Sequence, residues 1–342
     1  MKQFNFAEDV VSTEITVTDG FGDGGVGILT GTSFTTSSLS VAQKRYYYNL
    51  QYNSKDHLSV TYGHKAGSGS QEQSTTVEGT TKAVYGQFYN LLETDRNALK
   101  KNTGFVFNST ASSDAYFIST ERLQMKDRLN PGTWTLTLSG SNSAGAAASL
   151  NLTDNSKVSD PSAAPFGERY SIQVGSAGVI SDTTEHGLFY PDAGIMVLSA
   201  NQLSSSLPGV PGLIQSGALD VTAQGSGLAP DLRVIDAADN AFKLALAIQK
   251  GSLTLRSEEK QFIYDYFCRA KANEFNYSQN LTFWSGSQYD IRHSDMISNP
   301  QVYITEVGLF DEAGELMAIG RLSSALEKNF SSEAIIKVRL TY

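Results

Sequence analysis

The chain has 342 residues, 40% of them hydrophobic, with 26 Lys and Arg against 35 Asp and Glu and a net charge of −9. That length suffices for one large or two ordinary domains with a core that needs neither metal nor disulfide, and the hydrophobic content excludes wholesale disorder. An acidic balance with only the isolated basic pairs Lys44-Arg45 and Lys100-Lys101 argues against nucleic-acid binding, because phosphate affinity comes from clustered Lys and Arg.

Charged residues make up 18% of the chain, below the usual quarter, and uncharged polar residues fill the gap. Such a composition suits β-rich surfaces covered by neighbours. The single cysteine, Cys268, forbids an intramolecular disulfide, and Met1-Lys2-Gln3-Phe4-Asn5 leads into no apolar signal core, so folding in a cytosol is expected. No apolar run reaches the roughly 20 residues that span a bilayer.

In chain order, residues 14–18 alternate as a short strand and run into a glycine-rich stretch at 20–31. There Gly22, Gly24 and Gly27 spell the G-x-G-x-x-G pattern of a dinucleotide turn. A phosphate site needs a helix directly after the glycines, whereas residues 28–36 are β-branched and helix-poor, which favours a plain loop. Strands are expected at 45–50 and 57–63, then a helix from a Thr80 or Thr81 cap with Val84, Phe88, Leu91 and Leu92 as its buried stripe, which Tyr85 and Tyr89 would widen.

Further strands are predicted at 105–107, 115–119 and 133–138, the last with Trp134, Leu136 and Leu138 on one face. Residues 139–149, rich in Ser, Gly and Ala, predict a loop, and 158–165 a linker. Strands at 150–153, 170–174 and 194–198 precede an extended surface loop over 201–229. A second helix spans 236–250, with Ala241, Leu244, Ala245 and Ile248 apolar and Gly251 at its end. A β-prone run at 262–268 follows, continuing through 278.

The C-terminal block reads as a hairpin, 302–310 and 316–322 around the acidic turn Asp311-Glu312-Ala313-Gly314, closed by a final strand. There Ile336, Val338, Leu340 and Tyr342 alternate with Ile335, Lys337, Arg339 and Thr341. The fold class is therefore mainly β, all-β or α+β, with antiparallel sheets or sandwich domains, two short helices and long loops.

No catalytic constellation is present. His57, His64, His186 and His293 are scattered without ligand spacing and read as surface or edge histidines. There is no G-x-S-x-G elbow. Cys268 sits in an aromatic strand, where burial raises a thiol pKa and favours packing over nucleophilic chemistry. The pairs Glu258-Glu259 and Asp236 with Asp239 fit a turn and a helix start. No catalytic, cofactor-binding or metal residue is assigned, and a non-enzyme is expected. Tyr and Phe are plentiful, 16 and 17 against 2 Trp, and such rings anchor protein interfaces. Phe189-Tyr190 and Phe283-Trp284, in polar surroundings, are the candidate anchors, and Asp311 and Glu312 are the exposed hairpin turn.

The wording Ile304-Thr305-Glu306-Val307-Gly308-Leu309-Phe310-Asp311, a Gly-bearing turn, then Leu316-Met317-Ala318-Ile319-Gly320 resembles a hairpin of tail-associated structural proteins of tailed bacteriophages. Arg269-Ala270-Lys271-Ala272-Asn273 and Ser59-Val60-Thr61-Tyr62-Gly63 resemble segments of baseplate wedge subunits of contractile-tailed phages. That resemblance implies a β-rich two-part molecule, with residues 1–98 and 253–342 forming a framework and 99–252 an inserted β-rich domain with one helix near its end. It also implies a virion part assembled in the host cytoplasm, in several copies or as a homo-oligomer. Its partners would be other tail proteins, with no cofactor, nucleic acid, membrane insertion or small-molecule substrate. The alternatives are a collar, neck or fibre-attachment protein and, from other classes, a carbohydrate- or receptor-binding module or a tail-borne hydrolase.

Overall fold

A computed structural model of the chain describes residues 4–21, 28–30, 35–36, 47–69, 79–93, 104–210, 231–234, 240–278, 280–288 and 290–342. Strand accounts for 51% and helix for 15%, so the chain is mainly β, built of antiparallel sheets that include a half-barrel, with short helices. The glycine pattern at Gly22, Gly24 and Gly27, the two basic pairs, most of the 201–229 loop and residues 236–239 lie outside the described residues.

The chain forms two compact units, Val17–Glu259 and a terminal unit of Met1–Thr16 with Lys260–Tyr342. The sequence-based boundaries at 98 and 252 therefore differ from the observed ones. Strands Tyr47–Tyr52 and Lys55–His64 hydrogen-bond into the same sheet as Asp114–Thr120, which draws residues 17–98 into the larger unit.

In the larger unit a 12-stranded sheet runs, from one edge, Ile28–Thr30, Ser252–Thr254, Thr135–Ser141, Ala147–Asp154, Gly167–Ser176 and Val179–Tyr190. It continues through Ile195–Ser199, Asp114–Thr120, Lys55–His64 and Tyr47–Tyr52 to Thr35–Thr36, with Ser162–Ala164 paired on Gly167–Ser176. Because successive strand residues point to opposite faces, neighbours divide between two apolar clusters. Tyr116, Ile118, Phe189, Met196 and Leu198 join the cluster containing helix Asn240–Lys250, whereas Ala115, Phe117, Leu188, Tyr190 and Val197 join the one containing helix Thr80–Leu92. The central strands are thus buried on both faces, which is why Ile195–Ser199 is wholly apolar up to its final Ser.

Helix Thr80–Leu92 lies where the apolar spacing predicts it, but its buried stripe is turned by about one residue. Thr81, Tyr85, Tyr89 and Leu92 are buried, while Val84 and Phe88 are half-buried and Leu91 is 40% exposed. The tyrosine face turns inward because its polar tip finds partners: the Tyr85 hydroxyl donates to Ser112 O and accepts from Phe105 N. Thr81 donates to Ser68 O, and Gly79 stands at the N-cap instead of a threonine.

Two further expectations are corrected in this unit. Residues 139–149 do not form a loop: Ser139, Gly140 and Ser141 pair with Ser149, Ala148 and Ala147. Their turn is organised by Asn142, whose side-chain oxygen accepts from Ala144 N and Ala146 N, with Gly145 at φ +79°. The 158–165 linker contains strand Ser162–Ala164, paired with 167–169. Strand Val179–Tyr190 and helix Ala200–Ser206 lack strong sequence signals, the first because polar residues fill its outer half.

A further sheet has Arg256–Ala270 between Val10–Gly20 and Ala334–Thr341, and residues 10–16, 260–270 and 334–341 of it belong to the terminal unit. Its antiparallel register runs from Ile263 opposite Thr341 to Ala270 opposite Ala334. The strand ends at Ala270, so Lys271-Ala272-Asn273 belongs to the turn that follows rather than to a strand. In the last strand Ile336, Val338 and Leu340 are half-buried and their neighbours exposed, as the alternation predicts, whereas Tyr342, expected on the same face, lies past the strand end and is 65% exposed.

Candidate interface on the terminal hairpin

Strands Val302–Phe310 and Leu316–Lys328 form a separate two-stranded antiparallel hairpin. Its turn is held by Asp311, whose carboxylate accepts from Glu315 N at 2.7 Å and whose backbone closes on Glu315 O and Gly314 N. Gly314 has φ +84°, a conformation that side-chain-bearing residues rarely adopt. Asp311 therefore serves the turn, while Glu312 beside it is exposed.

One hairpin face packs inward: Leu309 is 6% exposed, and Gly320 lies under Val338, 3.7 Å from where a Cβ would stand. The other face does not. Gly308 pairs with Ile319 and Glu306 with Arg321, so these four share a side. A Cβ on Gly308 would lie 3.0 and 3.2 Å from the Phe310 and Leu316 side chains, which places both on this face too. Phe310 is 45%, Leu316 48%, Ile319 55% and Met317 70% exposed. Sequence alternation makes this hairpin legible as two strands, but its register bulges after Ile304 and Leu309 decide which apolar residues face outward.

The remaining predicted anchors behave differently. Phe189 and Tyr190 are fully buried in strand Val179–Tyr190, not in a polar loop, so neither ring is available to a partner. Phe189 packs edge-on against Trp134, and the Tyr190 hydroxyl donates to Glu93 at 2.7 Å, where Arg169 also binds. Burial, and then the Glu93 charge, pushes the Tyr190 hydroxyl pKa far up. Phe283 is 9% exposed and packs edge-on against half-buried Trp284, whose indole Nε1 donates to Ser278 O.

Two histidines are not at the surface. His57 and His186 are buried, and their Nδ1 atoms lie 2.9 Å from Lys55 O and 3.0 Å from Thr184 O. His64 accepts from Ala66 N and Ser68 N as a turn element, and His293 is exposed. Among the described residues no group of three His, Cys, Asp or Glu side chains is placed to hold a metal. Cys268 is half-buried, and burial followed by the Asp9 charge raises its thiol pKa. An open depression lined by Phe107, Asn108, Asp114, Ser199, Gln202 and Arg233 is mostly polar, and Arg233 there contacts Asp231 and Val210 O.

No helix among the described residues is long and apolar enough to cross a membrane. Comparison with protein-family models, with characterised protein sequences and with solved structures finds no match to this chain.

Proposed function

We propose that the chain is a structural subunit of a phage contractile tail, of the baseplate-wedge kind, working through protein–protein contacts and not through catalysis. The observation that carries the reading is the outer face of the terminal hairpin. The segment whose wording resembles tail proteins presents Phe310, Leu316, Met317 and Ile319 to solvent, and clustered exposed apolar side chains mark surfaces made to be covered. Two β-rich units, one assembled from both ends of the chain, lend further support. In such a role the sheets hold geometry, the apolar strip grips a neighbouring subunit, and contraction repacks subunits as rigid bodies.

Mass spectrometry of purified phage particles tests this directly, with labelling of the chain in negative stain. The expected result is signal at the tail tip. Signal at the head–tail junction would move the chain to the collar or neck, and absence from particles would end the structural reading.

A further inference from the structure

The side chains of Thr110, Ser113, Asn201 and Gln202 have no hydrogen-bond partner among the described residues, and all four line the polar depression of the larger unit. Its volume is about 590 Å³, within the roughly 300–1,000 Å³ of small-molecule sites. Ser199 pairs with Ala115, so strand Ile195–Ser199 ends where Asp114–Thr120 begins, and the segments at those two ends meet around one hollow.

The walls are held before any ligand arrives. Asn108 and Ser109 take φ +48° and +62°, the left-handed pair of a two-residue hairpin turn. The Asn108 amide then fastens this turn to Glu185, donating to its O and accepting from its N, each at 2.9 Å. On another wall Ser204 Oγ donates to Leu232 O at 2.9 Å and accepts from Val234 N at 3.2 Å. Walls already ordered spare a ligand the entropy of arranging them.

We infer that this depression binds a neutral saccharide of one or two rings. The site lies outside the tail reading and does not depend on it. A sugar hydroxyl both donates and accepts, and the uncommitted Asn and Gln amides and Ser and Thr hydroxyls do the same. Charge disfavours an anion. Arg233, the basic residue of the lining, already bonds Asp231 at 3.0 Å and Val210 O at 2.6 Å, so a phosphate or carboxylate meets a cation that is engaged. Asp114 adds a carboxylate that accepts from the Tyr62 hydroxyl at 3.0 Å and lies 3.2 Å from Ser112 Oγ. A carboxylate has about four lone-pair sites, which leaves capacity for a ligand hydroxyl while repelling an anion.

Saturation-transfer NMR and calorimetry on the purified full chain test the site, with glucose, galactose, N-acetylglucosamine, maltose and lactose as probes against glucuronate and inorganic phosphate. At least one neutral sugar should bind, and joint Asn201→Ala and Gln202→Ala substitution should weaken it about tenfold or more, as expected for the loss of two hydrogen bonds. Circular dichroism should not change, because neither side chain has a partner among the described residues. Failure of every neutral sugar to bind at millimolar concentration, or tighter binding of glucuronate or phosphate, would overturn the inference. So would sugar binding indifferent to the double substitution, and its loss in Trp284→Ala instead would move the sugar to the aromatic segment around Phe283. Each of these outcomes leaves the tail reading as it stands.

Discussion

Lys328 donates from its ammonium to the side-chain oxygen of Asn276 at 2.8 Å, with exposures of 0% and 1%. The same nitrogen donates to Ala272 O and Asn329 O, and Asn276 Nδ2 donates back to Ala272 O. A buried cation thus ties the turn after strand Arg256–Ala270 to the end of the hairpin, with neutral oxygens sharing its charge. Lys328→Met keeps the apolar stem but leaves the buried Asn276 oxygen and the half-buried Ala272 and Asn329 carbonyls without this donor. It should cost about 1–3 kcal/mol, read as a lower urea midpoint, and an unchanged midpoint would show that the cage contributes nothing.

Acid should loosen the terminal sheet through Asp265. Its carboxylate takes two bonds from Arg339, at 2.8 and 3.0 Å, and one from Lys337 at 2.6 Å. The Arg339 bonds first, and then Lys337, hold its pKa well below the usual carboxylate range. A group whose folded pKa is depressed stabilises the fold above its unfolded value, about 3.9 for Asp, and loses that contribution as pH falls through the folded value. Urea midpoints measured from about pH 5 downward should therefore fall more steeply for the wild type than for Asp265→Asn. Parallel curves would refute the assignment.

Gly63→Ala should displace helix Thr80–Leu92. A Cβ there would stand 2.8 Å from Tyr85 N and 2.9 Å from its Cα, and backbone cannot swing aside as a side chain can. Overpacking of this kind costs about 1–3 kcal/mol. Thermal unfolding of the variant should begin well below that of the wild type, with a changed tyrosine signal in near-UV circular dichroism. An equal melting temperature would mean that the helix seat is soft.

Deleting residues 336–342 removes most of the strand paired with 263–270 and both basic partners of Asp265. The truncated chain should be insoluble or fail to assemble. Recovery of a soluble chain with wild-type circular dichroism would show that the last strand is dispensable.

Much of the secondary structure is written locally. The alternation around Leu136 and Val338, the turn at Gly314 and the helical spacing before Leu92 each report a period or a backbone need that a few neighbouring residues satisfy. The same local reading misjudged 139–149, because Ser, Gly and Ala look like a loop until a partner strand accepts their backbone groups. It also turned the first helix by a residue, because Val84 and Phe88 are more apolar than Tyr85 but cannot use Ser112 O and Phe105 N as Tyr85 does.

By itself, the sequence determined that this is a β-rich chain whose end is a hairpin with an acidic turn, since strand period and turn chemistry act over a few residues. Only the tertiary structure decided which apolar residues are spent inside. Phe189 and Tyr190 are adjacent in sequence and lie on opposite faces of one strand, and both are buried because distant helices cover both faces of that sheet. Phe310 and Ile319 have the same apolar character and face outward, because bulges set the hairpin register and no segment among the described residues covers that face. Burial is a property of what lies opposite a side chain, and that partner is chosen by contacts far apart in the chain.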